Sequence, residues 1–120
     1  MRESKIESFF VGLIEDLGGT AEKFKSPARR NVPDRLVILP CGIVSFAEIK
    51  RTGKGATDAQ ARDHERRRRM GFRVDVINSL ESAKAVAESL RCVLHLSLLQ
   101  TRGRAPLSQN PGDYVWDAYK

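Results

Sequence analysis

One hundred and twenty residues leave room for one hydrophobic core and exclude a second domain of ordinary size. Apolar residues make up 41% of the chain, yet no run approaches the roughly 18 apolar residues of a membrane span, which argues against an integral membrane protein. Twenty-one Lys and Arg against fifteen Asp and Glu leave a formal charge of +6 and an isoelectric point of about 9.7, an excess that suits a polyanionic partner.

The opening Met-Arg-Glu-Ser-Lys-Ile-Glu lacks the basic and then apolar stretch of a secretory leader, so a cytoplasmic chain is expected. Ile6, Phe9, Phe10, Leu13, Ile14 and Leu17 follow helical spacing and predict an amphipathic helix from about Ser4 to Leu17, stopped by Gly18-Gly19. A short strand is expected around Lys23–Lys25, then a loop holding Pro27, Arg29, Arg30 and Pro33. Arg35–Leu39 and Ile43–Lys50 read as strands joined by a Pro40-Cys41-Gly42 turn, a β-hairpin whose two largely apolar faces suggest a sheet covered on both sides. Cys41 and Cys92 have no metal or disulfide spacing and read as reduced thiols.

Thr57 is a good N-cap for a helix to Met70, closed by Gly71. That helix offers only Ala59, Ala61, His64 and Met70 as apolar surface, so it is expected to face something polar, water or a nucleic acid. From Lys50 to Arg73 there are nine basic and three acidic residues, so this segment carries a charge equal to the whole chain's excess. Phe72–Ile77 reads as a further core strand. Ser79 caps a helix through about Leu90, and residues 92–100 are apolar but fit a continued helix or a strand equally. The order α-β-β-β-α-β-α predicts an α/β fold with a mixed sheet.

The chemistry concentrates in Pro33-Asp34 and Glu48-Ile49-Lys50. If the hairpin turn centres on Cys41, Leu39 faces Ile43 and Asp34 faces Glu48, with Cβ atoms roughly 4.5–5.5 Å apart. Like charges so placed repel, and a divalent cation between them reverses the sign. Lys50, two residues beyond Glu48, lies on the same face. The backbone carbonyl of Ile49 could add a ligand. Hard oxygen donors in small number suit Mg2+ or Mn2+. A metal-activated water beside a lysine is what phosphodiester hydrolysis requires. Arg29, Arg30, Lys54 and Arg67 are the first choices for DNA phosphate contacts.

The same residues carry a family resemblance. They are Arg2-Glu3-Ser4-Lys5-Ile6-Glu7 opening a helix, Gly18-Gly19, Lys23-Phe24 with Ser26-Pro27, and the run Arg29-Arg30-Asn31-Val32-Pro33-Asp34-Arg35-Leu36-Val37. Phe46-Ala47-Glu48-Ile49-Lys50, Gln60 at the start of a helix and Gly71-Phe72-Arg73-Val74 follow. Over about residues 2–90 this text resembles the virus-type replication-repair nuclease (VRR-NUC) family of the PD-(D/E)xK nuclease superfamily. The family usually carries glycine two residues before Pro-Asp, where Asn31 stands here; both suit a left-handed backbone.

The resemblance implies a restriction-endonuclease-like fold, a mixed central sheet flanked by helices, with the nuclease domain over residues 1–100. Residues 101–120 are expected to form an irregular tail, packed on the domain or on a dimer partner through Tyr114, Trp116 and Tyr119. It implies catalytic roles for Asp34, Glu48, Lys50 and Gln60, and an acid from the first helix, Glu3 or Glu7, near the metal, bound through water. Glu3 lies about 40° and Glu7 about 80° from the centre of the apolar stripe, which favours Glu3. Single-domain members resemble Holliday-junction resolvases and act as homodimers, which implies branched DNA, a four-way junction, as partner, and a bacterial or phage-infected host cell. The alternatives are a flap or nicking nuclease of the same chemistry, or a non-catalytic basic nucleic-acid-binding module.

Overall fold

The computed structural model describes residues 1–102, and the side chains of residues 1–100. Helix α1 spans Glu3–Asp16. Strands β1 (Thr20–Lys23), β2 (Arg35–Leu39) and β3 (Ile43–Ile49) follow, the last two joined by a 3-10 turn at Pro40–Gly42. Helix α2 (Asp58–Arg69), strand β4 (Arg73–Ile77) and helix α3 (Leu80–Arg102) complete the chain. The sheet runs β1-β2-β3-β4, with β1, β2 and β3 antiparallel in turn and β4 parallel to β3. The element order and the mixed sheet are those read from the sequence.

Ile6, Phe10 and Ile14 of α1 and Ala83 and Leu90 of α3 bury against Ala21, Val37, Leu39, Ala47, Ile49 and Ile77 of the sheet. These strand residues alternate, so one sheet face makes the main core. Leu36, Phe46, Glu48 and Val74 point to the other face, where α2 lies. That second cover is incomplete, for Ile38 and Val44 remain 37% and 40% exposed.

Two local expectations change and one open choice is settled. Strand β1 begins at Thr20 and ends at Lys23, earlier than the expected Lys23–Lys25, because Ala21 must reach the core opposite Val37. Gly18 turns the chain at φ +86°, and a Cβ on Gly19 would stand 2.3 Å from the Ile38 carbonyl oxygen, so the strand starts directly after them. Phe72 stays outside β4 and is exposed, its ring edge-on to Phe46 at 5.7 Å. Helix α3 continues through residues 92–100, with no Gly or Pro to stop it before Gly103, and buries Leu94.

Helix α2 is the largest departure. It does not need a polar partner outside the molecule: Asp63, His64 and Arg67 are themselves buried and dock it on the sheet. The Arg67 guanidinium lies over the rings of Phe46 (4.7 Å) and Phe24 (5.3 Å), while its Nε donates to Asp63 Oδ2 at 2.8 Å. The long arginine stem and a cation–π contact stand in for an apolar stripe.

Candidate active site

Asp34 immediately precedes β2. The hairpin ladder ends at Arg35 opposite Ala47, so Asp34 continues the register opposite Glu48. Its Oδ2 accepts the Ile49 N–H at 2.9 Å and its backbone carbonyl accepts the Phe24 N–H at 2.8 Å. The aspartate is thus held by both its side chain and its main chain.

Glu48 is 2% exposed, and its Oε1 has no hydrogen-bond partner among the described residues. Burial, a hydrogen bond shared with Asp34 and the charge of Asp34 push its carboxyl up to about 9. Glu3 adds to the push and Lys50 opposes it. Two opposed carboxylates repel, and in the metal-free protein a proton takes the place that the sequence argument gave to a cation. Lys50, on the same face, is half-buried, and its backbone N–H donates to the Ile77 carbonyl at 2.8 Å. The parallel β3–β4 pairing therefore fixes where that lysine leaves the sheet.

His64, which the sequence offers as one of the few packing positions of α2, is indeed packed, but against the Glu48 carboxylate. It is 1% exposed, and its Nε2 stands 3.6 Å from Glu48 Oε1, just beyond hydrogen-bond distance. Neither atom has another partner. Burial and the charge of Arg68 hold the imidazole below its ordinary pKa, so it stays neutral. The available signal was its spacing, one helical turn beyond Gln60 on a helix otherwise poor in apolar residues.

A divalent cation fits this arrangement. It would supply the countercharge that the buried, orphaned Glu48 oxygen lacks. The donors at hand are hard oxygens from Asp34, Glu48 and the Ile49 carbonyl. Among the described residues no group of three or more His, Cys, Asp or Glu forms a cage. The set therefore suits an ion that keeps positions open for water and phosphate, as Mg2+ does.

The first-helix acids divide. Glu7 is committed, accepting from Arg35 Nε at 3.2 Å. Glu3 is close enough to raise Glu48, but it is exposed rather than on the buried stripe, because the core begins one turn later at Ile6. The Thr52 N–H donates to the Met1 carbonyl at 3.3 Å, which ties the start of α1 to the loop after Lys50. Gln60 is engaged as half of a capping box: its Oε1 accepts the Thr57 N–H at 2.9 Å, and Thr57 Oγ1 accepts the Gln60 N–H at 3.2 Å. The Thr-x-x-Gln spacing announces that box in the sequence. Arg29, Arg30 and Lys54 are exposed on loops. Arg67 is 8% exposed and committed to Asp63, Phe24 and Phe46, which corrects its expected place on the DNA surface. Tyr114, Trp116 and Tyr119 lie outside the described residues.

No family model matches the sequence. The chain is 46% identical over 79 residues to "Putative nuclease p44" of Acyrthosiphon pisum secondary endosymbiont phage 1, covering 66% of this chain and 85% of that protein. A solved structure described as "VRR_NUC domain" superposes with a TM-score of 0.68 at 33% identity, over 72% of this chain and 94% of that one.

Proposed function

Because the chain belongs to the VRR-NUC family of nucleases, we propose that it is a Mg2+- or Mn2+-dependent DNA endonuclease, a homodimer that prefers four-way junctions. The observation that supports the chemistry is the convergence of Asp34, Glu48 and Lys50 at one end of the hairpin, with Glu48 buried and short of a countercharge.

Held by Asp34, Glu48 and the Ile49 carbonyl, the ion would supply Lewis acidity, lowering the pKa of water and offsetting charge on the phosphate. The Ile49 N–H fixes the Asp34 carboxylate in one orientation. The Lys50 ammonium, held on the face of Glu48, orients the attacking water and balances the charge that builds on the phosphate oxygens. Glu3, exposed beside this end of the sheet, accepts hydrogen bonds from water there, while Gln60 keeps its amide N–H2 for a phosphate oxygen. Arg29, Arg30 and Lys54 meet the DNA backbone.

Dimerisation rests on a symmetry argument. Resolving a junction takes two matched incisions, and each chain carries one Asp34–Glu48–Lys50 set, so a two-fold pair of chains supplies both. Val93, Leu96 and Leu99 on the C-terminal half of α3 are exposed apolar residues that suit such a contact. Among the described residues no helix is long and apolar enough to cross a membrane. We place the enzyme in the cytoplasm of a bacterium or a phage-infected cell.

The test is cleavage of a panel of linear, nicked, flapped and four-way DNAs with Mg2+ or Mn2+. Junctions should be cut fastest, EDTA should abolish cutting, and Asp34→Ala, Glu48→Ala and Lys50→Ala should each lose it while retaining DNA binding. Cutting in EDTA would overturn the metal assignment. Faster cutting of flaps or nicked duplexes would move the substrate to those structures.

A further inference from the structure

Beside the candidate active site, and separate from it, lies a second cleft of about 320 Å3 lined by Arg29, Arg30, Asn31, Ala59, Arg62, Asp63 and Arg66. At roughly 30 Å3 per water in the liquid, it has room for a hydrated anion. Four of its seven lining residues are arginines, and one, Asp63, is an acid.

Asp63 organises the cleft. It is buried, with Arg67 Nε at 2.8 Å, Arg66 at 3.3 Å and Arg29 Nε at 3.8 Å. Burial alone would raise this carboxyl, but the hydrogen bonds and charges of Arg67 and Arg66 outweigh it and hold the pKa below the usual range. Arg67 balances the aspartate from inside the fold, so the cleft arginines remain a net positive group. Arg66 spends one terminal nitrogen on Asp63, and its Nε has no partner among the described residues. Arg30 and Arg62 have no acidic partner among the described residues. Guanidinium groups gathered around an open space are suited to phosphate oxygens.

The position of Asn31 connects this cleft to catalysis. Asn31, at φ +62°, lines the arginine cleft and also a neighbouring cleft with Glu7, Lys23, Lys25 and Asp34. One loop therefore separates the arginines from the catalytic aspartate. We propose that Arg29, Arg30, Arg62 and Arg66 form a phosphodiester-binding cleft that grips the DNA strand beside the bond to be cut. This rests on the nuclease reading of the Asp34–Glu48–Lys50 site and adds the track of the strand to it. The helix contribution comes from Arg62 and Arg66, one turn apart, and not from Arg67.

The test is fluorescence anisotropy of a labelled DNA duplex, titrated in Ca2+ over a series of salt concentrations. Arg62→Gln/Arg66→Gln should weaken binding roughly tenfold or more and flatten the salt slope by about 2, one unit per lost phosphate contact. Arg29→Gln/Arg30→Gln should do the same while leaving every residue of α2 in place, Asp63 keeping Arg66 and Arg67, which guards against a folding defect in the first pair. Lys84→Gln/Arg91→Gln removes as much charge from α3, which packs on the opposite sheet face, and should leave both quantities within about twofold of wild type. Equal losses in the α3 pair and the cleft pairs would reduce the effect to overall charge and overturn the cleft. So would wild-type binding by both cleft pairs in a protein that still cuts DNA. A wild-type protein that neither binds nor cuts any DNA would instead overturn the nuclease reading of the main site.

Discussion

Asn31 and Cys41 are the non-glycine residues at positive φ among the described residues, and each stands where the chain must turn sharply. Asn31 confirms the left-handed backbone inferred from its position two residues before Pro33. Replacing it by glycine should leave melting temperature and cleavage near wild type, whereas Asn31→Val should lower both, because a β-branched side chain resists φ +62°. Equal behaviour of the two variants would remove the conformational explanation. Glu48 makes a different prediction. Its carboxyl goes from about 4.5 in the unfolded chain to about 9 in the metal-free fold. A folded-state pKa raised in this way contributes stability that is full below the unfolded value and lost as pH rises through the folded one. In EDTA the melting temperature should therefore fall between about pH 5 and pH 9, and Glu48→Gln should flatten that fall. Mn2+ should raise the melting temperature more at pH 8 than at pH 5, since it competes with the proton. A metal-free protein whose stability rose with pH over this window would contradict the buried-carboxyl account.

At the scale of elements, α2 shows what periodicity misses. Its apolar spacing offers little to bury, only Ala59, Ala61, His64 and Met70, and so places its arginines outside. The structure buries Arg67 because two aromatic rings and one aspartate satisfy its charge together. Arg67→Ala should destabilise the fold by about 2 kcal/mol or more, since it removes the cation–π contacts and leaves Asp63 short of a partner. Chemical denaturation measures this; a loss under about half a kcal/mol would mean that α2 docks by other means. The capping box is a smaller effect. Thr57→Ala should cost about 1 kcal/mol, a loss that denaturation resolves from the Arg67 effect by size.

Over the whole molecule, the parallel β3–β4 pairing and the β3-α2-β4 crossover bring His64, Glu48 and Lys50 to one end of the sheet, while the β2–β3 hairpin delivers Asp34. The core face, under α1 and α3, carries the packing, and the opposite face carries the chemistry. Leu96 is 59% exposed on α3, remote from that chemistry. If the homodimer forms through this surface, Val93→Glu/Leu96→Glu should give a monomer by light scattering and slow junction cleavage, while leaving the melting of the isolated domain intact. A double variant that stayed dimeric would place the interface elsewhere.

The sequence by itself determined the element order, the hairpin and its register, and the opposition of Asp34 and Glu48. These follow from local rules: period-two alternation, a turn centred on Cys41, and glycines at helix ends. It also carried the family, because the motif residues keep their order over most of the chain. What only the tertiary structure decided depends on partners distant in sequence. Glu48 meets His64 across sixteen residues, Glu7 is taken by Arg35 across twenty-eight, and Arg67 is covered by Phe24 and Phe46. A charged residue is placed inside or outside by whether the fold supplies its counter-groups, and spacing along one element does not contain that information.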